Sequence, residues 1–357
     1  MIMASDDLYL ISLQLLKDLI ETQSFSREEE NTALLLENFF KEKSISCHRS
    51  GNNIWAFNKS FNPSLPTILL NSHHDTVKPN SSWTLNPFNP EEKDGKLYGL
   101  GSNDAGGCLV SLAATFLHFY DRPSLKYNLV FASTAEEEIS GANGIASIIP
   151  QLPEIYFAII GEPTEMDLAV AEKGLIVVDC EAQGKAGHAA RNEGINAIYQ
   201  AFEDIHWIQN YKFPKESEWL GPVKMQVTVI ESGTKQHNVV PDKCTFTIDI
   251  RTTDTYSNEE VIKILNKNIK SVVKPRSLRL QPSFIDIDHP FIQSGIEMGM
   301  KPYGSPTLSD QALIKCPSVK VGPGKSERSH TADEFIELKE IKEGIEKYIG
   351  WLSVILF

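Results

Sequence analysis

Leu8, Ile11, Leu15, Leu16, Leu19 and Ile20 recur at helical spacing, and they predict an amphipathic helix over residues 7–22. Ser26 followed by Glu29 has the form of a capping box, which predicts a second helix running to Phe40. The period then changes. Residues 53–58 and 67–71 are short β-type runs, and the second is almost wholly apolar, as a strand buried on both faces should be. A helix carrying Leu109, Val110, Leu112, Ala113 and Phe116 is expected to begin near Asp104, and apolar strands are expected at 128–133 and 156–160. Strands alternating with helices predict an α/β domain with a mostly parallel sheet flanked by helices.

A different rhythm begins near Lys173. Strands are predicted at 175–182, 223–231, 243–251 and 277–281, with helices at 194–210 and 257–271. That β-α-β-β-α-β order is the ferredoxin-like arrangement, which closes as a small domain. Residues 291–300, 319–322 and a helix from Leu338 return to the first style. The expected organisation is a discontinuous domain of residues 1–172 and 283–357, with residues 173–282 inserted. A length of 357 residues suits two domains.

Charge and cysteine usage narrow the class of partner. Lys plus Arg is 34 against 47 for Asp plus Glu, a net charge of −13, which disfavours nucleic acid and anionic membranes. The excess also suits carboxylates gathered around a divalent metal, but mostly it reads as solvated surface. Five cysteines, widely spaced and without a C-x-x-C pair, predict reduced thiols in a cytoplasmic protein. The first residues lack the basic and apolar regions of a signal peptide, and no apolar run approaches the ~20 residues of a membrane helix.

The informative polar residues stand where apolar strands end, the place where open α/β sheets bind ligands. In Asn71-Ser72-His73-His74-Asp75, alternation points His73 and Asp75 to one side and His74 to the other. A carboxylate beside a metal-binding imidazole fixes its tautomer. In Gly99-Leu100-Gly101-Ser102-Asn103-Asp104, the glycines allow close backbone approach; standing alone, Asp104 would be an N-cap. Glu136-Glu137-Glu138 comes directly after a strand, where three carboxylates repel unless a cation or proton intervenes. Gly161-Glu162-Pro163 delivers another carboxylate, and Ser329-His330 a second imidazole. Such N/O donors suit zinc, cobalt or manganese, and are enough for two metals sharing a carboxylate.

These five clusters, in this order, resemble the zinc aminoacylase and exopeptidase family of acetylornithine deacetylase, succinyl-diaminopimelate desuccinylase and the glutamate-releasing carboxypeptidases. The resemblance spans nearly the whole chain and is nearest to acetylornithine deacetylase. It implies two zinc ions per subunit, with cobalt or manganese as substitutes. His73 and Glu162 would bind one ion, Glu138 and His330 the other, and Asp104 would bridge them. Asp75 would orient His73, and Glu137 would be the general acid/base. The inserted domain would serve as lid and dimerisation domain, so a homodimer is implied. Its His188 would reach the partner subunit's active site, while Asn238 and Arg251 would contact substrate. A cis peptide at Asp104–Ala105 is implied as well.

Two departures stand out: Leu100 where the family has Arg, and Ala105-Gly106-Gly107 where it has Met-Lys-Gly. Neither touches a ligand position. Glu136 replaces the usual Asp at the head of the triplet. His48, His118, His206 and His289 read as structural or merely exposed, His74 as packed against the interior or backbone, and Asp310 as either a turn residue or part of a family segment near the pocket. The expected activity is hydrolysis of the amide of an Nα-acyl amino acid, with acylornithine or acylcitrulline favoured, as in arginine biosynthesis. The alternatives are a metallo-dipeptidase or carboxypeptidase of the same family, then a succinyl-diaminopimelate desuccinylase. A catalytically dead homologue acting as a binding module is disfavoured, because every ligand position and Glu137 are present.

Overall fold

Thr67–His73 and Asn128–Thr134 are buried along their whole length in the computed structural model, which describes residues 5–191 and 193–357. Burial on both faces explains why these strands read as unbroken apolar runs. Thr67–His73 lies between Asn128–Thr134 and Ile155–Ile160, parallel to both, and Ser318–Lys320 continues the parallel set beyond Ile155–Ile160. Antiparallel strands flank this centre, with Asn53–Phe57 and Cys47–Ser50 on one side and Leu168–Glu172 on the other.

One face packs Leu69, Val130, Ala132, Ala158 and Ile160 against Ile145 and Ile148. The other is led by aromatic rings, Phe131 meeting Phe40 at 5.3 Å and Phe116 at 5.9 Å between centroids. The helices Ser5–Glu21, Gly107–Phe119 and Leu338–Leu356 bury stripes of Leu, Ile, Val, Phe and Trp in this unit. Among the described residues, no helix is long and apolar enough to cross a membrane. The five cysteines are free thiols.

The chain divides into two units. The larger runs to Val170 and takes in Ile285–Tyr303 and Ser309–Phe357; the smaller comprises Ala171–Phe284 and Gly304–Leu308. In the smaller unit the strands lie in the order Lys224–Ser232, Lys243–Thr252, Gly174–Gln183 and Val272–Pro275, all antiparallel. Helices Ala197–Asn210 and Asn258–Asn268 pack on this sheet around Ile176, Val178, Phe246, Ile248, Val261 and Leu265. Gly304–Leu308 joins this unit because Lys173 N–H donates to the Ser305 carbonyl and Gly304 lies flush on the Trp219 carbonyl.

Three sequence expectations are corrected. The second helix is Glu30–Glu42, and Ser26 does not cap it: the Ser26 hydroxyl donates to Asp75 at 2.7 Å, while Glu29 accepts from Arg27 N–H and Asn52 Nδ2. The fourth strand of this four-stranded sheet is Val272–Pro275, not 277–281. There the Leu278 and Leu280 carbonyls are taken by the Asn258 side chain, which caps that segment locally. The helix expected to begin near Asp104 starts at Gly107, and Asp104 sits in a wide turn, Ser102–Gly106, with extended φ and ψ of −118° and 97°.

Candidate active site

The parallel strands end side by side, and the chemically active residues gather just beyond their ends. His73 is the last residue of its strand and pairs with Thr134, the last of the neighbouring one. Thr134 leads into Ala135 and the three glutamates, and Ile160 into Gly161 and Glu162. The register therefore brings His73, Glu137, Glu138 and Glu162 to one rim of the sheet.

His73 is 1% exposed, and its two ring nitrogens face different surroundings. Nδ1 lies 2.9 Å from the Asp75 carbonyl and 3.4 Å from Asp75 Oδ1. Nδ1 is thus the N–H donor, which leaves a lone pair on Nε2. Among the described residues, Nε2 is buried without a hydrogen-bond partner and faces Asp104 Oδ1 at 3.4 Å, Glu162 Oε1 at 3.7 Å and Glu137 Oε2 at 3.9 Å. A lone pair aimed at three carboxylates calls for a proton or a cation between them.

Asp75 is itself held. Its carboxylate accepts from the Glu137 N–H at 3.0 Å, the Glu138 N–H at 3.2 Å and the Ser26 hydroxyl. Asp75 thus fixes the imidazole through its backbone carbonyl and the backbone of the acidic triplet through its carboxylate. His74 points the other way, its ring nitrogens 2.9 Å from the Thr32 hydroxyl and 2.9 Å from the Asn52 carbonyl, and burial pulls it down to about 4. It is a packed interior histidine.

Asp104 precedes a cis peptide bond to Ala105. Its Oδ1 faces His73 Nε2, while its Oδ2 lies 3.6 Å from His330 Nε2. His330 in turn lies 2.8 Å from Glu138 Oε2. One carboxylate with an oxygen toward each imidazole is the geometry of a bridging ligand. Two donor clusters, His73/Asp104/Glu138 and His73/Glu137/Glu162, each have their ligand atoms within 4.8 Å of one another. These residues fit a pair of divalent cations: carboxylate and imidazole donors, a shared Asp and an orphaned imidazole nitrogen.

The electrostatics agree. Burial pushes Glu137 well above the usual carboxylate range, opposed by His73 and reinforced by Glu162, Asp310 and Glu138. Burial on its own lowers His73, yet Glu137, Asp104, Asp75 and Glu162 hold it well above the usual imidazole range. His330 rises to about 9 through its contact with Glu138. Cation charge at the centre would relieve this mutual repulsion and let all the carboxylates ionise.

Two buried acids lie just behind the ligand positions. Asp310 Oδ2 accepts from Asn71 Nδ2 at 2.9 Å and the Thr134 hydroxyl at 2.6 Å, tying together the strands that deliver His73 and the glutamates. Burial raises it to about 6. Glu334, which sequence reasoning missed, accepts three backbone N–H bonds from the turn that carries Asp104. Its only sequence signal was its place four residues after His330.

His188, Asn238 and Arg251 belong to the smaller unit and are not among these converging residues. His188 is exposed and paired with Val239, and its Nδ1 accepts from the Ala190 N–H. Asn238 is exposed, and its carbonyl accepts from the Ala189 N–H. Arg251 forms a fork on Asp249, with Nε at 2.8 Å and an Nη at 3.1 Å from the two oxygens.

Comparison with known proteins agrees with this geometry. The model of peptidase family M20/M25/M40 matches residues 69–353. The chain is 29% identical to acetylornithine deacetylase of Shigella sonnei, covering 92% of this chain and 94% of that one. It is 24% identical to succinyl-diaminopimelate desuccinylase 2 of Ruegeria sp., over 92% and 91%. Among solved structures, a tripeptidase from Staphylococcus aureus superposes with a TM-score of 0.77 at 18% identity, covering 97% of this chain and 98% of that one. A dinuclear metal-binding peptidase of the M20 family from Bacillus subtilis superposes with a TM-score of 0.73 at 19% identity, covering 98% of each chain. The matched span includes every strand end and loop that contributes to the cluster, and the chain belongs to peptidase family M20/M25/M40, an enzyme of the metal-dependent hydrolases.

Proposed function

We propose that the protein hydrolyses the amide bond of an Nα-acyl amino acid, with acylornithine or acylcitrulline as the favoured substrates, at a pair of zinc ions that cobalt or manganese can replace. The observation that carries the metal assignment is the orphaned, buried Nε2 of His73 beside an Asp104 that turns one oxygen toward each of two imidazoles. His73 and Glu162 hold one ion, Glu138 and His330 the other, and Asp104 lies between. Such a pair supplies Lewis-acid activation of water and of the amide carbonyl. Glu137 accepts a proton from the attacking water and later delivers it to the leaving amine. Asp75 keeps the His73 lone pair on Nε2.

The smaller unit is proposed to be a ferredoxin-like lid and dimerisation domain inserted into the catalytic domain. Ile198, Tyr199 and Phe202 on its helix, and Val229 and Ile230 on the edge strand Lys224–Ser232, are large exposed apolar residues, which supports pairing with a second copy. His188 is proposed to act in the partner's active site, and Asn238 and Arg251 to contact substrate. Free cysteines support a cytoplasmic setting.

Arg251 supplies a test of substrate recognition. Its planar fork, which here grips Asp249, has the shape that binds an α-carboxylate through two bonds, and lysine cannot copy it. Arg251→Lys is expected to raise KM for the best acyl amino acid with little change in kcat or Tm. Charge-assisted hydrogen bonds contribute about 1.5–3 kcal/mol, so kcat/KM should fall ~10–100-fold. Unchanged kcat/KM would remove Arg251 from the site.

Relatives named for both acetylornithine and succinyl-diaminopimelate hydrolysis, and structural neighbours named as peptidases, make the substrate the point to test. The zinc-reconstituted protein is to be assayed on Nα-acetylornithine, Nα-acetylcitrulline, succinyl-diaminopimelate and a set of dipeptides. Highest kcat/KM on an acetyl amino acid, abolished by a chelator and restored by zinc, is expected. Preference for dipeptides would favour the peptidase alternative, preference for the succinyl substrate a desuccinylase, and chelator-resistant hydrolysis would end the metal reading.

A further inference from the structure

We infer that Glu334 is a positioning residue for the metal pair: its buried carboxylate sets the turn that presents Asp104 and locks it to the segment that presents His330. This rests on the reading of Asp104 as the shared ligand. Glu334 is 2% exposed. Its Oε1 accepts from the N–H groups of Asn103 at 2.8 Å and of Asp104 itself at 2.9 Å, and its Oε2 accepts from the Gly101 N–H at 3.1 Å. Its backbone carbonyl accepts from the Gly99 N–H at 3.0 Å. Four bonds from one residue therefore span the whole Gly99–Asp104 turn.

Other bonds serve different groups of that turn: Leu100 N–H donates to the Pro87 carbonyl, Ser102 N–H to the Gly99 carbonyl, and the Asn103 side chain pairs with the Lys325 backbone. Gly101 has a φ of 74°, and a Cβ there would come within 2.6 Å of the Thr76 methyl. The turn breaks helical geometry at Asp104, so the N–H groups of residues 101, 103 and 104 need an acceptor from elsewhere. Glutamate meets that need because both of its carboxyl oxygens accept here, Oε1 from two N–H groups and Oε2 from one.

The other end of the Glu334 segment is equally fixed. Asp333 accepts from the N–H groups of Thr84 and Leu85, each at 2.9 Å, and from the Thr84 hydroxyl at 2.6 Å. Asn80 Nδ2 donates to the His330 carbonyl at 3.3 Å. Glu334 thus couples the turn that carries Asp104 to the segment that carries His330, alongside Asn80 on the His330 carbonyl and Glu138 on its ring, and Asp104 Oδ2 lies 3.6 Å from His330 Nε2.

Glu334→Gln tests this with almost no change of volume. The amide keeps one acceptor oxygen but turns an NH2 toward a backbone N–H, so the turn loses one bond and gains a donor–donor clash. Zinc affinity of the metal-free protein is to be measured by competition with a chromophoric chelator, alongside Tm without metal, kcat and KM, for the parent, Glu334→Gln and Asp104→Asn. Partners that orient metal ligands contribute ~10–100-fold in metal affinity. The expected result is that loss in Glu334→Gln, with Tm near the parent's, a lower kcat at saturating zinc and KM little changed. Unchanged zinc affinity in Glu334→Gln, with zinc lost from Asp104→Asn, would overturn the inference alone. Both zinc equivalents retained in Asp104→Asn would overturn the ligand assignment and this inference with it. If the glutamine variant does not fold, Glu334→Asp, whose carboxylate falls one methylene short, is expected to lose zinc affinity likewise, and parent-like affinity there would overturn the role.

Discussion

Glu137→Gln is expected to retain both metal ions and to lower kcat by ~10²–10⁴, the contribution of a general acid/base. The variant is nearly isosteric, and the Glu137 N–H keeps its bond to Asp75, so the backbone of the triplet stays where it is. What disappears is the ability to take up and return a proton. The expected loss falls on kcat, because the side chain acts on the reacting water and amine, not on substrate capture. Metal content by mass spectrometry and steady-state kinetics on the best substrate are the measurements. Wild-type turnover would show that another group carries the proton. Loss of one metal equivalent would instead put Glu137 among the ligands, as its Oε2 at 3.9 Å from His73 Nε2 permits.

Much of this site was legible because apolar strands buried on both faces announce themselves, and the residue after such a strand is where parallel sheets place chemistry. His73, the triplet and Glu162 each stand at the end of such a run. Alternation along 73–75 correctly separated the inward His73 and Asp75 from His74, which packs on Thr32. Local pattern could not supply the contacts between segments far apart in the chain. Ser26 and Glu29 have the spacing of a capping box, but the Ser26 hydroxyl has a carboxylate to reach at Asp75, 49 residues on, and the tertiary bond wins. Glu334 meets Asp104 across 230 residues, and no spacing announces it. The Val272–Pro275 strand is only four residues long and ends in proline, so periodicity gave it no weight against the longer run after it. The roles of His188, Asn238 and Arg251 came from resemblance alone, and they stay proposals.

Of those, His188 carries the largest expected effect. If it donates to the developing oxyanion, His188→Ala should lower kcat by ~10²–10³, the loss seen when one oxyanion donor is removed. Among the described residues, the exposed imidazole's hydrogen bond is local, its Nδ1 accepting from the Ala190 N–H two residues on, so the substitution should leave Tm nearly unchanged. Mixing tests whether the histidine serves the partner. In a twofold dimer with cross-subunit sites, each site combines Glu137 of one chain with His188 of the other. A hybrid of Glu137→Ala and His188→Ala chains then has one site with both residues intact and one with neither. Random exchange makes half of the dimers hybrid, so about a quarter of all sites should recover full turnover under twofold assembly. If His188 served its own chain, every site in every hybrid would lack one residue, and mixing would restore nothing. Inactive mixtures in which subunit exchange has been demonstrated by native mass spectrometry would therefore refute the cross-subunit role, whereas recovery near a quarter would establish the dimer and the shared site together.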